Sequence, residues 1–104
     1  MYTPIDLHRH PLPSEVNRYL ASLDFQPLNE PWHLKCRDEP WRVRLLDVGQ
    51  EDHCGYEILV RGQVYGTYHV GLNSLVGTLH HNLLELGFPV EQVQRRRKLR
   101  ALVE

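Results

Sequence analysis

Only two cysteines, Cys36 and Cys54, occur in the 104 residues. Two thiols make no disulfide framework of the kind that staples small secreted domains, so reduced cysteines in a cytoplasmic protein are expected. No apolar run approaches the roughly 20 residues that a membrane-spanning helix needs, so no membrane partner is expected. Residues 1–13 carry Asp6, His8, Arg9 and His10, a composition that suits neither a signal peptide nor an anchor. There is no internal repeat and no low-complexity tract. A phosphate-cradling loop is also missing, because Gly62, Gly66 and Gly71 have the wrong spacing and fall in strand or turn positions. What remains is one small domain, 1–104, with 41% hydrophobic and 24% charged residues, enough for a modest core.

The charge is unevenly spread. Residues 1–94 hold seven Lys/Arg against twelve Asp/Glu, whereas residues 95–104 hold five basic residues and one acidic one. An acidic body with a basic C-terminal helix or tail is a polarity that could serve binding.

Periodicity divides the chain into elements. Residues 1–13 form an irregular lead-in. Ser14 is placed to cap a helix carrying Val16, Tyr19, Leu20 and Leu23, which ends near Asp24. A connector follows over 27–31. From 32 to 70 the period falls to two, in four segments: 32–37, 41–48, 56–61 and 63–70. Asp38-Glu39-Pro40 suits a tight turn and Arg61-Gly62 a hairpin with glycine at positive φ. Asn73 or Ser74 then caps a helix with Leu75, Val76, Leu79, Leu83 and Leu86 on one stripe, and Gly87 ends it. Gly77 inside this helix implies a packing reason, such as close approach to the first helix or the sheet. Pro89 starts a last helix. The expected fold is α+β: a four-stranded antiparallel meander with helices packed on one face, in the order α-β-β-β-β-α-α.

Alternation splits each strand between two faces. Trp32, Leu34, Cys36, Trp41, Val43, Leu45, Tyr56, Ile58, Val60, Val64, Tyr68 and Val70 form the apolar set that should meet the helices. The opposite set is His33, Lys35, Arg37, Arg42, Arg44, Leu46, Glu57, Leu59, Arg61, Tyr65, Thr67 and His69. It gathers five cations around Leu46, Leu59 and Tyr65, a mixture that fits a protein interface. Basic residues beside an aromatic also suit single-stranded nucleic acid, while a plain solvated face shielded by Arg and Lys stems is the simplest reading of all, since such faces are common on antiparallel sheets. A bulge near Gly66 would change the register of this face. Arg95, Arg96, Arg97, Lys98 and Arg100 form the second candidate surface, able to contact phosphates or simply to cap a solvated helix.

Several groups resemble reactive centres. His33, Cys36, His53 and Cys54 are zinc-type ligands, but His33 and Cys36 stand three apart on a strand and point to opposite faces, which a tetrahedral site does not tolerate. Cys54 beside His53 suggests a nucleophile, yet adjacent strand residues point apart. His8 and His10 lack the further ligands of a hydrolase site. His81 and Glu85, four apart on a helix, read as a surface pair. The acids Asp38, Glu39, Glu51 and Asp52 sit in loops and read as solvating charge. No catalytic residue, metal or cofactor is therefore expected.

These readings favour a non-enzymatic interaction protein, of the sort that includes regulators and inhibitors, binding a protein partner through the outer sheet face with the basic C-terminal helix assisting. Nucleic-acid binding through the same surfaces is the alternative, and a metal- or thiol-dependent enzyme the third. A homodimer through the sheet face would bury the same residues.

Overall fold

A computed structural model of the chain describes residues 2–27 and 32–103. The elements are β1 (Thr3–Pro4), α1 (Ser14–Ser22), β2 (Phe25–Pro27), β3 (Leu34–Cys36), β4 (Trp41–Asp47), β5 (His53–Val60), β6 (Gln63–Gly71), α2 (Leu75–Glu85) and α3 (Val90–Val103), with a 3-10 turn at Leu72–Ser74 before α2. The fold is α+β with an antiparallel sheet, as the periodicity implies. The sheet has six strands rather than four, in the order β2-β3-β4-β5-β6, with β1 added beside β4. Both extra strands are two or three residues long, too short to show a period. The first expected segment also shrinks: its strand begins at Leu34, and Trp32 lies in a turn, 43% exposed instead of in the core. Beyond Pro27, the connector expected over 27–31 lies outside the described residues.

The long β4–β5–β6 meander is built by alternation. Val43, Leu45, Tyr56 and Ile58 point to one side and are fully buried with Val16 and Leu20 of α1, Leu75, Leu79 and Leu83 of α2, and Val93 of α3. Trp41 packs edge-on against Phe88, which also stacks on Phe25. Tyr56 stacks on Tyr68 at 4.8 Å, and the buried Asn82 of α2 donates to the Tyr56 hydroxyl at 2.6 Å. That bond satisfies the hydroxyl beneath the helix, where it could find no water. The Tyr19 hydroxyl and His80 Nδ1, 3.0 Å apart, tie α1 to α2.

Turn chemistry follows the sequence closely. Arg61 and Gly62 both have positive φ, the signature of a two-residue type I′ hairpin matched to the twist of its strands. Gly87, at φ +90°, ends α2. Helix starts differ from expectation. Ser14 is the first helical residue of α1 instead of its cap, and neither Pro13 nor Ser74 makes a side-chain capping bond. Around Gly77 there is open space within 4 Å, and nothing in the structure explains a glycine there.

α3 is docked by charge more than by its apolar side, which buries only Val93. Arg96 pairs with Glu39 in the β3–β4 turn, and Arg100 pairs with the buried Asp24 after α1. Glu39, expected to be solvating charge, is a structural anchor.

Candidate interaction surface

Among the described residues the helices pack on one side of the sheet, and the side chains of the far side fall into cross-strand rows. The first row runs Gln26, Lys35, Arg42, Leu59, Val64 across β2 to β6. The second is a hydrogen-bonded belt. Arg44 donates to Glu57 Oε1 at 3.2 Å, its other terminal nitrogen lies 3.4 Å from His33 Nε2, and the Thr67 hydroxyl donates to Glu57 Oε2 at 3.4 Å. The third runs Pro4, Leu46, Gly55, His69, with the Tyr2 hydroxyl 3.2 Å from His69 Nδ1 and the His53 ring packed edge-on against His69. Gly55 fits a tight place in that row: a Cβ there would stand 3.0 Å from Val48 Cγ1 and 3.1 Å from Leu46 Cβ.

The sequence-predicted residues therefore separate into groups. Lys35 and Arg42 are half-buried and Arg37 is exposed at the end of β3; among the described residues none of the three forms an ion pair. Arg44 is neutralised by Glu57. Leu46 and Leu59 lie on this face but are only 4% and 5% exposed, so they underlie the surface rather than form it. His69 is exposed beside Tyr2.

Two expected members leave the face. Ile58 pairs with Gly66 while Leu59 pairs with Val64, so Tyr65 is an extra residue, a β-bulge. The bulge brings Val64 to the outer face, where it is 49% exposed, although alternation alone had assigned it to the core. It also turns Tyr65 toward the helix side. There Tyr65 and Arg61 line an open groove of about 440 Å³ with Pro40, Trp41, Leu86 and Pro89. Sequence reasoning missed this groove, although Gly66 stands where the register shifts. Gly66 has a further role, because a Cβ on it would collide with the Tyr68 ring that lies over it.

The C-terminal cations divide likewise. Arg95, Arg97 and Lys98 are exposed, whereas Arg96 and Arg100 are committed to Glu39 and Asp24.

The thiol and imidazole groups do not converge. Cys36 and Cys54 are buried on the helix side, and His33 and His53 belong to the other. Burial pushes the Cys36 thiol up to about 12, with the carboxylates of Glu39 and Asp24 acting in the same direction. Burial also raises Cys54. Thiols so shifted are protonated at neutral pH and poor nucleophiles. Among the described residues no cluster of three or more His, Cys, Asp or Glu is arranged to hold a metal ion, and no helix is long and apolar enough to cross a membrane. His81 and Glu85 form the surface pair that their spacing implies, at 3.1 Å.

Comparison with protein-family models, with curated proteins and with solved structures finds no match to this chain.

Proposed function

We propose that the protein is a non-enzymatic interaction module that docks an acidic surface of a partner protein on the helix-free side of its sheet. One observation carries this reading. Lys35 and Arg42 stand opposite each other on that side without carboxylate partners among the described residues, in one row with Leu59 and the exposed Val64. Unpaired cations beside aliphatic surface favour encounter with negative charge and give apolar area to bury afterwards. Arg95, Arg97 and Lys98 are further exposed cations on α3. The partner is ranked as protein because Tyr65, the aromatic that would stack on a base, is turned to the opposite side. The buried, protonated thiols support a role without covalent chemistry.

The test is recovery of the tagged protein from its own cells, with and without nuclease, beside a Lys35→Glu, Arg42→Glu variant. A stoichiometric protein that survives nuclease and is lost on charge reversal is the expected result. A partner retained by the variant would place docking elsewhere. Material released by nuclease and moderate salt would replace this reading with nucleic-acid binding.

A further inference from the structure

The two edges of the sheet are finished differently. On one side β2 is three residues long and closes on Pro27, whose nitrogen carries no donor. On the other, β6 runs nine residues and no strand lies beyond it among the described residues. In an antiparallel ladder about every second N–H and C=O of an edge strand points away from its neighbour, open to another strand. Folded proteins ordinarily blunt such an edge with charge, proline or brevity. β6, with the sequence Gln-Val-Tyr-Gly-Thr-Tyr-His-Val-Gly, contains no Lys, Arg, Asp, Glu or Pro, and none of its residues is buried. The bulge at Tyr65 disturbs only the hairpin end and leaves a regular run over 66–71.

We propose that β6 pairs antiparallel with β6 of a second copy of this chain, joining two six-stranded sheets across a two-fold axis near Thr67. Charge selects the chain's own copy. A symmetric pair sets each residue of a strand against residues of the same strand, so any charged side chain near the axis would meet its like. β6 offers none. With the axis at Thr67, Gly66 meets Tyr68 of the second copy, and both belong to the regular run beyond the bulge. The nearest acid, Glu57, stands one strand back and is already paired with Arg44. The inference is independent of the cationic face, which points out of the sheet plane and stays open in the pair. A single strand edge is small beside the roughly 800 Å² per partner of a standard interface, so association depends on concentration.

The experiment is sedimentation velocity over a concentration series, with native protein and Thr67→Lys. In the monomer a lysine at 67 stands opposite Glu57, which the fold accepts; in the pair two lysines meet at the axis. The native chain should move from monomer to twice the monomer mass as concentration rises, and Thr67→Lys should remain monomeric with an unchanged far-ultraviolet spectrum. A native chain that stays monomeric up to its solubility limit overturns the proposal and leaves the edge to a foreign strand. A Thr67→Lys chain that dimerises like the native one overturns it too. Should that variant not fold, hydrogen exchange of the native protein decides: amides within 66–71 must slow as concentration rises, and protection appearing elsewhere instead overturns the proposal.

Discussion

On the helix side of the sheet Leu45 and Ile58 are buried beneath the helices, while on the other side Leu46 and Leu59 are almost as buried outside that core cluster. The first pair belongs to the core cluster shared with α1, α2 and α3; the second stands outside it. Leu59 is flanked by its cross-strand partners Arg42 and Val64, and Leu46 sits between Pro4 and Gly55 where Val48 approaches. Burial on the open side is thus supplied by neighbouring side chains of the sheet itself, whose long stems cover carbon while their ends stay in water. An aliphatic residue on an uncovered sheet face need not be a sticky surface. It can be the floor on which a charged one is laid.

The sharpest way to break this comparison uses adjacent residues of β5. Ile58→Ala opens a cavity in the core shared with the helices and should cost about 4 kcal/mol, whereas Leu59→Ala lies outside that core, where side chains can settle, and should cost about 2 kcal/mol. Chemical denaturation of both variants measures the difference, and equal losses would mean that the outer floor is packed as tightly as the core.

A smaller effect separates two arginines that sequence alone treats as equals. Arg44→Gln leaves the half-buried Glu57 without its cation and should cost about 1 kcal/mol. Arg42→Gln keeps its stem over Leu59 and should fall within about 0.5 kcal/mol of native. If denaturation midpoints move equally, the division of this face into a structural belt and a free patch is wrong.

A further effect appears only in alkali and belongs to the core side. Cys36 titrates near 9 when unfolded and at about 12 when folded. Its contribution is complete below pH 9, where the thiol is protonated in both states. It is lost as pH rises toward 12, because the unfolded chain releases that proton first. Cys36→Ala should therefore flatten the fall in thermal midpoint across this window. An unchanged slope would assign the alkaline loss to other buried groups, such as Tyr19, whose hydroxyl burial also raises.

How much of this was legible depended on length and on locality. The stripe Leu75, Leu79, Leu83 and the alternation in β4 and β5 repeat often enough to declare their period, and Arg61-Gly62 states its turn in two residues. β1 and β2 are shorter than one full repeat of any pattern, so only tertiary pairing with β4 and β3 defines them. Tyr65 and Val64 were misassigned because one inserted residue reverses every side chain between the bulge and the turn. Arg96 and Arg100 looked like members of a diffuse basic tail; their roles come from Glu39 and Asp24, 57 and 76 positions away in the sequence, which no local window contains. The cations of β3 and β4 were found by alternation, but which of them keep a free charge depended on Glu57 across the ladder.

The order of the strands also bears on how quickly the chain finds its structure. From β2 to β6 each strand pairs with its neighbour in sequence, so every ladder of the main path closes a short loop. Loop closure over a few residues costs little chain entropy, and topologies rich in such contacts fold faster than those that must join distant segments. The β5–β6 hairpin, with its two-residue turn, is the cheapest closure in the sheet and the natural place for ordering to begin. α3 on Asp24 and α1 on α2 need the longest excursions and should form last. A meander, in kinetic terms, lets the scaffold beneath the cationic face assemble before the two ends of the chain have come home.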